Sequence, residues 1–437
     1  MHVSPKRWLC ASLSVLMSIQ LTGVLPVSAV SPSAAPTEQE QVAQTVTAEQ
    51  WSPVDIDISG QVPKGSNPYM DTASKVKATF IHDDGTTIQI SAFYRDNGIW
   101  TLRFTPNKPG TWHYTVFYDA DDSYVYDADY YKDQIQPKDD SKQYAEDYQG
   151  IFDGVSGTVI CTKNSNPNMH GGVLRDPEQL DHFVYEDGTD YFLMGYEVDW
   201  MAMLDDDQDG IPHAKQLIDQ LAEAGYNEVL MNAFGWDTLW CDGTATVSTG
   251  WGNSKCEPLD VDGYDFGPTS VIPWKTKDGF TFNHSNYNMT NVGKIDFTRM
   301  NEEYWAKFDQ IIAYMNEKGI TAHIFWKVYN KDVIWANTTG TSGKGVNRNP
   351  YMQYADTMYA RYFMDRYGAY NIIVDMGKES YNVTFGNQRT IDSLEYSSYP
   401  ENEGKAFYLN AVLKLFNDNN SYNRSLPSMT LMTTTST

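Results

Sequence analysis

The sequence predicts a multidomain protein in which an all-β sandwich is followed by a (β/α) barrel of the TIM type. Between Trp51 and Lys163, short apolar stretches alternate with period two and are separated by turn signals such as Asp83-Asp84-Gly85. Further along, the order helix–glycine–strand occurs three times, in EAGYNEVLM, EKGITAHIF and RYGAYNIIV. This repeat predicts parallel βα units. Five such strands can be counted, whereas a closed barrel has eight, so we expect the barrel to be truncated after about strand five.

The first 50 residues are predicted to lie outside the folded domains. Residues 1–29 have the features of a secretory signal peptide, because Lys6 and Arg7 precede an apolar stretch that ends at Ala29 in a small-residue cleavage site. A membrane anchor is the alternative, but Ser, Thr, Gln and Pro interrupt the apolar stretch. Residues 30–50 are rich in Ser, Ala, Pro, Thr, Glu and Gln and predict a disordered linker. We therefore expect a secreted, extracellular protein without a membrane span after cleavage.

Composition excludes some classes of partner. The chain has 437 residues and a formal net charge of −25, whereas nucleic acid binding requires a basic patch. An anionic membrane surface is disfavoured for the same reason. A hydrophobic content of 41% and an aromatic content of 14% indicate a globular protein with a sizeable core and many surface aromatic residues.

Three cysteines remain after removal of the signal peptide. Cys241 and Cys256 lie in one loop-like region and could form a disulfide in an oxidising compartment, whereas Cys161 is distant in sequence. The alternative is three free, buried thiols. The sequence contains no Cys/His spacing typical of a metal site.

Period-two alternation predicts the sandwich domain over residues 51–163. Its strands are expected at 75–81, 87–93, 99–104, 111–116 and 154–162. An acidic, Tyr-rich insertion occupies residues 118–150. Asn, Pro and Gly then mark residues 164–180 as a linker.

Residues 181–437 are predicted to form the barrel domain. Asn301 precedes Glu302 and Glu303, which is the pattern of a helix N-cap followed by an acidic first turn. The helices are expected at 214–224, 301–315, 352–367 and 406–416, and the strands at 191–196, 228–234, 320–326, 372–374 and 428–432.

The strongest candidate for chemistry follows the fourth of these strands. The β-branched run Ile372-Ile373-Val374 is typical of a buried parallel strand, and Gly377 leads from it to Lys378 and Glu379. Barrels carry their catalytic groups at the carboxyl ends of the strands. Glu379 is therefore the candidate active-site acid. The alternative is a solvated ion pair at a strand end.

The order of several motifs resembles the apiosidase-like glycoside hydrolases, in which a TIM-barrel domain often follows an N-terminal β-sandwich domain of unknown function. In the barrel these motifs are HFVYEDGTDYFLMGYEVDW (182–200), AEAGYNEVLMNAF (222–234), NEEYWAKFDQIIAYMNEKGITAHIFWKVY (301–329) and ARYFMDRYGAYNIIVDMGKE (360–379). In the sandwich they are Asp84-Gly85, Ala92-Phe93-Tyr94 and WTLRFTPNKPGTWHYTV (100–116).

The resemblance implies a role for Glu379, which matches the strand-four general acid/base of the family. Many members of the wider clan have an Asn before this Glu that binds a sugar hydroxyl, and here that position is Lys378. The nucleophile of the clan usually follows strand seven, so it is expected beyond Thr437.

Other side chains at strand ends are candidates for sugar binding. Aromatic rings can stack on sugar faces and polar groups can bind hydroxyls, although each aromatic residue is equally consistent with packing. The candidates are Trp200, Trp236, Trp240, Trp326, Asn232, Asp199 and Lys378. Asp199 is also a weak candidate for the catalytic partner of Glu379, and Asp375, inside its strand, is interpreted as structural.

An acidic loop suggests a structural calcium ion, although no cofactor is expected to be required. Asp205, Asp207 and Asp209 precede Gly210 in the D-x-D-x-D-G pattern of a calcium loop. Position twelve is Gln216, where an EF-hand has Glu. The alternative is a solvated acidic turn that caps the next helix.

These observations predict a secreted, retaining glycoside hydrolase that acts on a polysaccharide or oligosaccharide. Such an enzyme needs one protonated carboxyl group and a second carboxylate about 5–5.5 Å away. The alternative is a non-catalytic carbohydrate-binding or cell-surface protein built on a degenerate or truncated barrel.

Overall fold

The computed structural model describes most of the chain after residue 43. The described residues are 44–122, 143–179, 181–198, 201–205, 209–234, 246–249, 252–255, 271–282, 294–326, 350–375, 416–417, 420–422 and 427–428. All of them belong to one compact unit, Ala43–Thr437.

The N-terminal β region, defined here as residues 44–162, consists of two sheets. Its strands are β1 (Gln44–Glu49), β2 (Val54–Ser59), β3 (Val76–His82), β4 (Thr87–Ser91), β5 (Phe93–Asp96), β6 (Ile99–Phe104), β7 (Gly110–Tyr118) and β8 (Ser156–Thr162). One sheet has the order β1-β8-β7-β3-β4 and the other β2-β6-β5. Phe80 of the first sheet stacks on Phe104 of the second at 3.8 Å, so the buried positions of the two alternating patterns meet in one core.

The first strand corrects the predicted linker over residues 30–50. Residues 44–49 form β1, which pairs in parallel with β8 from Gln44↔Gly157 to Glu49↔Thr162. A side chain at Gly157 would place its Cβ 2.3 Å from the carbonyl oxygen of Gln44, so the glycine permits this close pairing. The polar composition of β1 predicts disorder, but the backbone of the neighbouring strand supplies its hydrogen bonds.

Two helices also depart from the strands-only prediction for residues 51–163. They are α1 (Pro68–Asp71) and α2 (Ala145–Phe152), of which the second lies within the predicted acidic insertion. Phe152 packs edge-to-face against Trp100 at 5.0 Å, so α2 buries its apolar face on the core. The single strand predicted over 87–93 is divided at Ala92 into β4 and β5, which belong to different sheets.

A small antiparallel sheet and two hairpins follow the N-terminal β region in the sequence. The small sheet contains β9 (Val173–Arg175), β10 (Phe183–Tyr185) and β11 (Asp190–Tyr191). The hairpins are β14 (Thr246–Thr249) with β15 (Gly252–Lys255), and β16 (Trp274–Thr276) with β17 (Ile295–Met300).

A five-stranded parallel sheet is the centre of the second half of the chain. Its order is β12-β13-β18-β19-β20, which is also the order of these strands along the sequence. The strands are β12 (Gly195–Glu197), β13 (Glu228–Asn232), β18 (Thr321–Phe325), β19 (Ile372–Asp375) and β20 (Pro427–Ser428). The strand predicted over 191–196 is wrong in part, because Asp190–Tyr191 and Gly195–Glu197 pair in different sheets.

Three long helices alternate with the central strands: α3 (Pro212–Glu223), α4 (Glu302–Glu317) and α5 (Pro350–Tyr367). Asn301 caps α4 as predicted, since its side chain accepts a hydrogen bond from the backbone N–H of Glu303. Most of the helix predicted over 406–416 and of the strand predicted over 428–432 lies outside the described residues. Within the described ranges, no helix has the length and hydropathy of a membrane span.

The three middle strands of this sheet, β13, β18 and β19, each present one face to the helices. Val229, Ile324 and Val374 belong to the buried cluster that also contains apolar residues of α3, α4 and α5. Because side chains alternate along a strand, the residues between them occupy the opposite face of the sheet. That face carries polar residues, including Asn232 and His323.

Candidate active site

The carboxyl ends of three neighbouring strands form one row. The register pairs Asn232 of β13 with Phe325 of β18, and Phe325 with Asp375 of β19. Glu379 follows Asp375 by four residues and lies outside the described residues. The described residues therefore place Asn232 and the end of β19 at the same carboxyl edge of the sheet. Glu379 comes four residues after the end of β19 in the sequence.

Asn232 is buried without a hydrogen-bond partner. The side chain is 2% exposed, and neither its Oδ1 nor its Nδ2 has a partner in the described part of the chain. An amide left unsatisfied in this way costs about 1–3 kcal/mol. Such groups in native structures call for an explanation, and a hydrogen bond to a bound ligand is one. The amide can donate to one hydroxyl and accept from another, which fits the predicted role in sugar binding.

Trp326 occupies a packing position. It follows β18, is 1% exposed, and its ring lies 5.4 Å from that of Tyr359 and 5.1 Å from that of Phe416. These contacts favour the packing alternative for Trp326, and sugar stacking by this residue stays a prediction.

Below the row, His323 lies between two buried carboxylates. Its Nδ1 is 2.7 Å from Oε1 of Glu228, and its Nε2 is 3.5 Å from Oδ2 of Asp375. Tyr191 donates its hydroxyl hydrogen to the other oxygen of Glu228. Both ring nitrogens thus face acceptors, which is the arrangement that suits the doubly protonated imidazolium.

The electrostatics of this group agree with its geometry. Burial alone would lower the pKa of His323, but the hydrogen bonds and charges of Asp375 and Glu228 outweigh burial and raise the pKa to about 9. Burial and the charge of Glu228 raise the pKa of Tyr191 well above its usual range, so Tyr191 remains a neutral donor. At neutral pH the structure therefore favours a cationic His323 inside the sheet.

Sequence reasoning identified Asp375 as structural but missed Glu228, His323 and Tyr191. A signal exists, because Glu228 and Asn232 share one face of an otherwise apolar strand and His323 interrupts the apolar strand beside it. The pairing of these side chains depends on strand register, which short apolar strands do not reveal.

The acidic loop has a capping role at its first residue. Asp205 is buried, and its carboxylate accepts hydrogen bonds from the backbone N–H groups of His213 and Ala214 at 2.9 Å each. It therefore satisfies donors in the first turn of α3. Asp209 is exposed, and Asp207 lies outside the described residues. The described residues contain no cluster of His, Cys, Asp and Glu that could hold a metal ion, so calcium binding stays a prediction.

Several predicted residues cannot be placed. Asp199, Trp200, Trp236, Trp240, Lys378, Glu379, Cys241 and Cys256 lie outside the described residues. Cys161 is a buried free thiol, and burial raises its pKa to about 11.

Comparison with one solved structure shows a shared fold. A candidate glycoside hydrolase from Bacteroides vulgatus ATCC 8482 is 19% identical, with a TM-score of 0.54 over 88% of this chain. This chain spans 56% of the length of that protein. A glycoside hydrolase family 5 structure from the same organism is 16% identical, with a TM-score of 0.29 over 60% of this chain and 40% of the other. A Bacteroides ovatus family 5 xyloglucanase is 10% identical, with a TM-score of 0.24 over 89% and 62% of the two chains.

Comparison with protein families is more specific. No curated protein sequence matches the chain. Residues 47–119 match a domain of unknown function, DUF5060, within the N-terminal β region. Residues 178–405, just over half of the chain, match the apiosidase-like catalytic domain. The resemblance stated from the sequence motifs is therefore confirmed, and the chain belongs to the apiosidase-like catalytic-domain family.

Proposed function

We propose that the protein is a secreted, retaining glycoside hydrolase with Glu379 as its general acid/base. The observation that carries the proposal is the row at the carboxyl edge of the parallel sheet. There Asn232, which has no hydrogen-bond partner among the described residues, lies two strands from the strand that leads to Glu379. Parallel βα proteins bind their ligands at this edge. Family membership supports a carbohydrate substrate.

The barrel is part of the same proposal. The five parallel strands are adjacent in the order in which they occur in the sequence, which is the arrangement of strands in a (β/α)₈ barrel. In that arrangement β19 is the fourth strand. Its carboxyl end is then the position of the acid/base that the sequence resemblance implies.

Each residue has a distinct task in the proposed reaction. A second carboxylate attacks the anomeric carbon and forms the glycosyl-enzyme, while Glu379 protonates the departing glycosidic oxygen. Glu379 then deprotonates the water that displaces this carboxylate from the anomeric carbon. Asn232 holds a sugar hydroxyl through its amide. The buried group around His323 fixes the strand below the acid, since β19 ends at Asp375.

A substitution of the acid tests the assignment. In the full-length protein, Glu379→Gln should reduce cleavage of glycosides with poor leaving groups by about 10²–10⁴, the usual contribution of a general acid. An activated aryl glycoside needs little protonation, so formation of the glycosyl-enzyme from it should change much less. Added azide should then restore turnover by attacking that intermediate.

Glu303→Gln is the matched control, because Glu303 is an exposed carboxylate in the first turn of α4. It should retain full activity. If Glu379→Gln stays within about tenfold of the parent on natural substrates, less than a general acid supplies, the assignment is wrong.

The alternative is a non-catalytic carbohydrate-binding protein. This alternative predicts that carbohydrate in the gel retards the unmodified protein in affinity electrophoresis. It also predicts that the protein releases no reducing ends from that carbohydrate. Release of reducing sugar that disappears in Glu379→Gln would exclude this alternative.

A further inference from the structure

A network of six charged residues joins the N-terminal β region to the catalytic domain. Arg103 of β6 makes bidentate contacts with Asp309 of α4, at 3.1 and 3.0 Å, and with Asp55 of β2, at 2.8 and 2.9 Å. Arg366 of α5 bonds the same Asp309 at 2.9 and 2.7 Å. The remaining members are Glu302, bonded to Arg366 at 2.6 and 3.0 Å, and Arg95, bonded to Glu302 at 2.9 Å.

The centre of the network is buried, and the charges of the network are balanced. Arg103 and Arg366 are 3% and 0% exposed, and three guanidinium groups face three carboxylates. Burial alone would raise the pKa of Asp309, but Arg366 and Arg103 outweigh burial and hold it well below its usual range. Separation of the two parts of the chain would therefore leave paired charges without their partners, which is strongly unfavourable.

The end of β6 also holds the connection between α5 and β19. Arg103 donates to the carbonyl oxygen of Arg366 at 3.0 Å, and the hydroxyl of Thr105 donates to the carbonyl oxygen of Ala369 at 2.6 Å. These carbonyls belong to the helix end and to the loop that precedes β19, where a helix leaves acceptors unsatisfied. The N-terminal β region thus satisfies backbone groups just before the strand that leads to position 379.

Further contacts join the N-terminal β region to α5. The backbone N–H and hydroxyl groups of Ser74 donate to Asp365 of α5 at 2.9 and 3.0 Å. Arg361 of α5 bonds Asp122 at 2.8 Å. The apolar cores of the two parts are continuous in one buried cluster, and the described residues form one compact unit.

A tethered sugar-binding module would be built differently. Such a module presents exposed aromatic rings as stacking platforms and needs no large interface with its neighbour. Over residues 44–122 and 143–162, none of the aromatic side chains is classed as exposed. The surface of the β region that is richest in specific contacts faces α4 and α5 instead.

We infer that the N-terminal β region, which includes the domain of unknown function, is a brace that folds with the catalytic domain and holds β19 in place through Arg103 and Thr105. Its effect on catalysis rests on the proposed function, whereas its effect on folding and on β19 does not. Arg103 and Thr105 are positioning residues, since they act through the backbone before β19.

Thr105 offers a matched pair of substitutions for a test by hydrogen exchange. Thr105→Val keeps the shape and removes the donor to Ala369, whereas Thr105→Ser keeps the donor. In the full-length protein, Thr105→Val should increase amide exchange over residues 370–375 on the order of tenfold, the effect of removing a buried hydrogen bond. Thr105→Ser should stay within about twofold of the parent. The amides of β13, residues 228–232, are the internal reference and should not change.

Calorimetry and a second variant keep the inference testable if Thr105→Val does not fold. The parent should unfold in one transition that covers both parts. Arg103→Lys keeps the charge but cannot bond both carboxylates, so it should lower the melting temperature of that single transition. Arg299→Lys, at the more exposed pair with Asp296, should have little effect.

The two proposals fail in different ways. Two separate calorimetric transitions, or equal exchange in Thr105→Val and Thr105→Ser, would overturn the brace whatever the activity. If Glu379→Gln is fully active while the exchange pattern holds, only the assignment of the acid is wrong. If the brace and the assignment of Glu379 are both correct, Thr105→Val should lower kcat for glycoside cleavage with KM nearly unchanged. Thr105→Ser should keep the kcat of the parent.

Discussion

The charged network at the brace and the charged group inside the parallel sheet balance their charges in different ways. At the brace, three arginines meet three carboxylates, and arginine keeps its charge at every pH a protein tolerates. Inside the sheet, Glu228 and Asp375 flank one histidine, whose charge depends on pH. We therefore expect the first cluster to be a permanent structural contact and the second to respond to pH near the candidate site.

The largest expected effect on stability is that of a substitution at the centre of the charged network. Asp309→Ala removes the carboxylate that Arg103 and Arg366 share, and leaves two buried guanidinium groups with fewer partners. Loss of one partner of a buried charge pair typically costs about 3–5 kcal/mol. The free energy of unfolding, measured by urea denaturation at neutral pH, should fall by that amount.

The control for Asp309→Ala is an ion pair of the same kind at the surface. Arg299 is 46% exposed and pairs with Asp296, so Arg299→Ala should cost less than about 1 kcal/mol. If Asp309→Ala and Arg299→Ala lose the same unfolding free energy, the buried network contributes no more to stability than a surface ion pair, and the comparison between them is wrong.

The second expected effect is a pH dependence that comes from His323. Its pKa is raised in the folded protein to about 9, against an ordinary value of 6.5. A raised pKa contributes stability that is fully present below the unfolded value and is lost as pH rises through the folded value. Between pH 6 and pH 10 this contribution, on the order of 3 kcal/mol, should disappear.

His323→Gln isolates this contribution. The groups that face His323 are Glu228, Asp375 and, through Glu228, Tyr191, whose pKa burial and the charge of Glu228 raise well above its usual range. The difference in unfolding free energy between the parent and His323→Gln should therefore shrink from pH 6 to pH 10. A difference that stays constant would show that folding does not raise the pKa of His323.

Local patterns made the framework of the fold predictable. Gly225 and Gly319 have φ values of 86° and 74°, and each ends a helix just before a parallel strand, as their positions in the sequence predict. The position of Asn232 at the end of an apolar strand was also predictable, and its role in sugar binding stays a prediction.

Contacts between distant parts of the chain were not predictable. Arg103 occupies a polar position in a strand whose alternation suggests a solvent-facing side chain, and its partner Asp309 lies 206 residues away. The same holds for His323 and Glu228, which are separated by 95 residues and meet only because their strands pair in one register. Strand β1 was missed because its hydrogen bonds come from β8 rather than from its own composition.

The smallest expected effect on stability is that of a substitution at Asn232, which differs in this respect from the residues of both charged clusters. The guanidinium groups and carboxylates of the brace pair with one another inside the protein, whereas the amide of Asn232 is buried without a partner in the described part of the chain. If a sugar hydroxyl is its partner, Asn232→Leu should leave the unfolding free energy within about 0.5 kcal/mol of the parent or raise it, since an unpaired amide is removed. Affinity for the sugar should fall about tenfold or more, because both hydrogen bonds to the ligand are lost.

Asn371→Leu supplies the contrast, because both ends of the Asn371 amide are used. Its Oδ1 accepts from the N–H of Val173 at 3.2 Å, and its Nδ2 donates to Thr321 at 2.9 Å. This variant should therefore lose about 1–3 kcal/mol of stability, the cost of leaving such partners unpaired. If Asn232→Leu is instead destabilised as much as Asn371→Leu, its amide is paired within the folded protein, and Asn232 is a structural residue rather than a sugar ligand. Unchanged stability with lost affinity can arise only where the missing partner is the ligand, so this pair of variants tests the site without reference to Glu379.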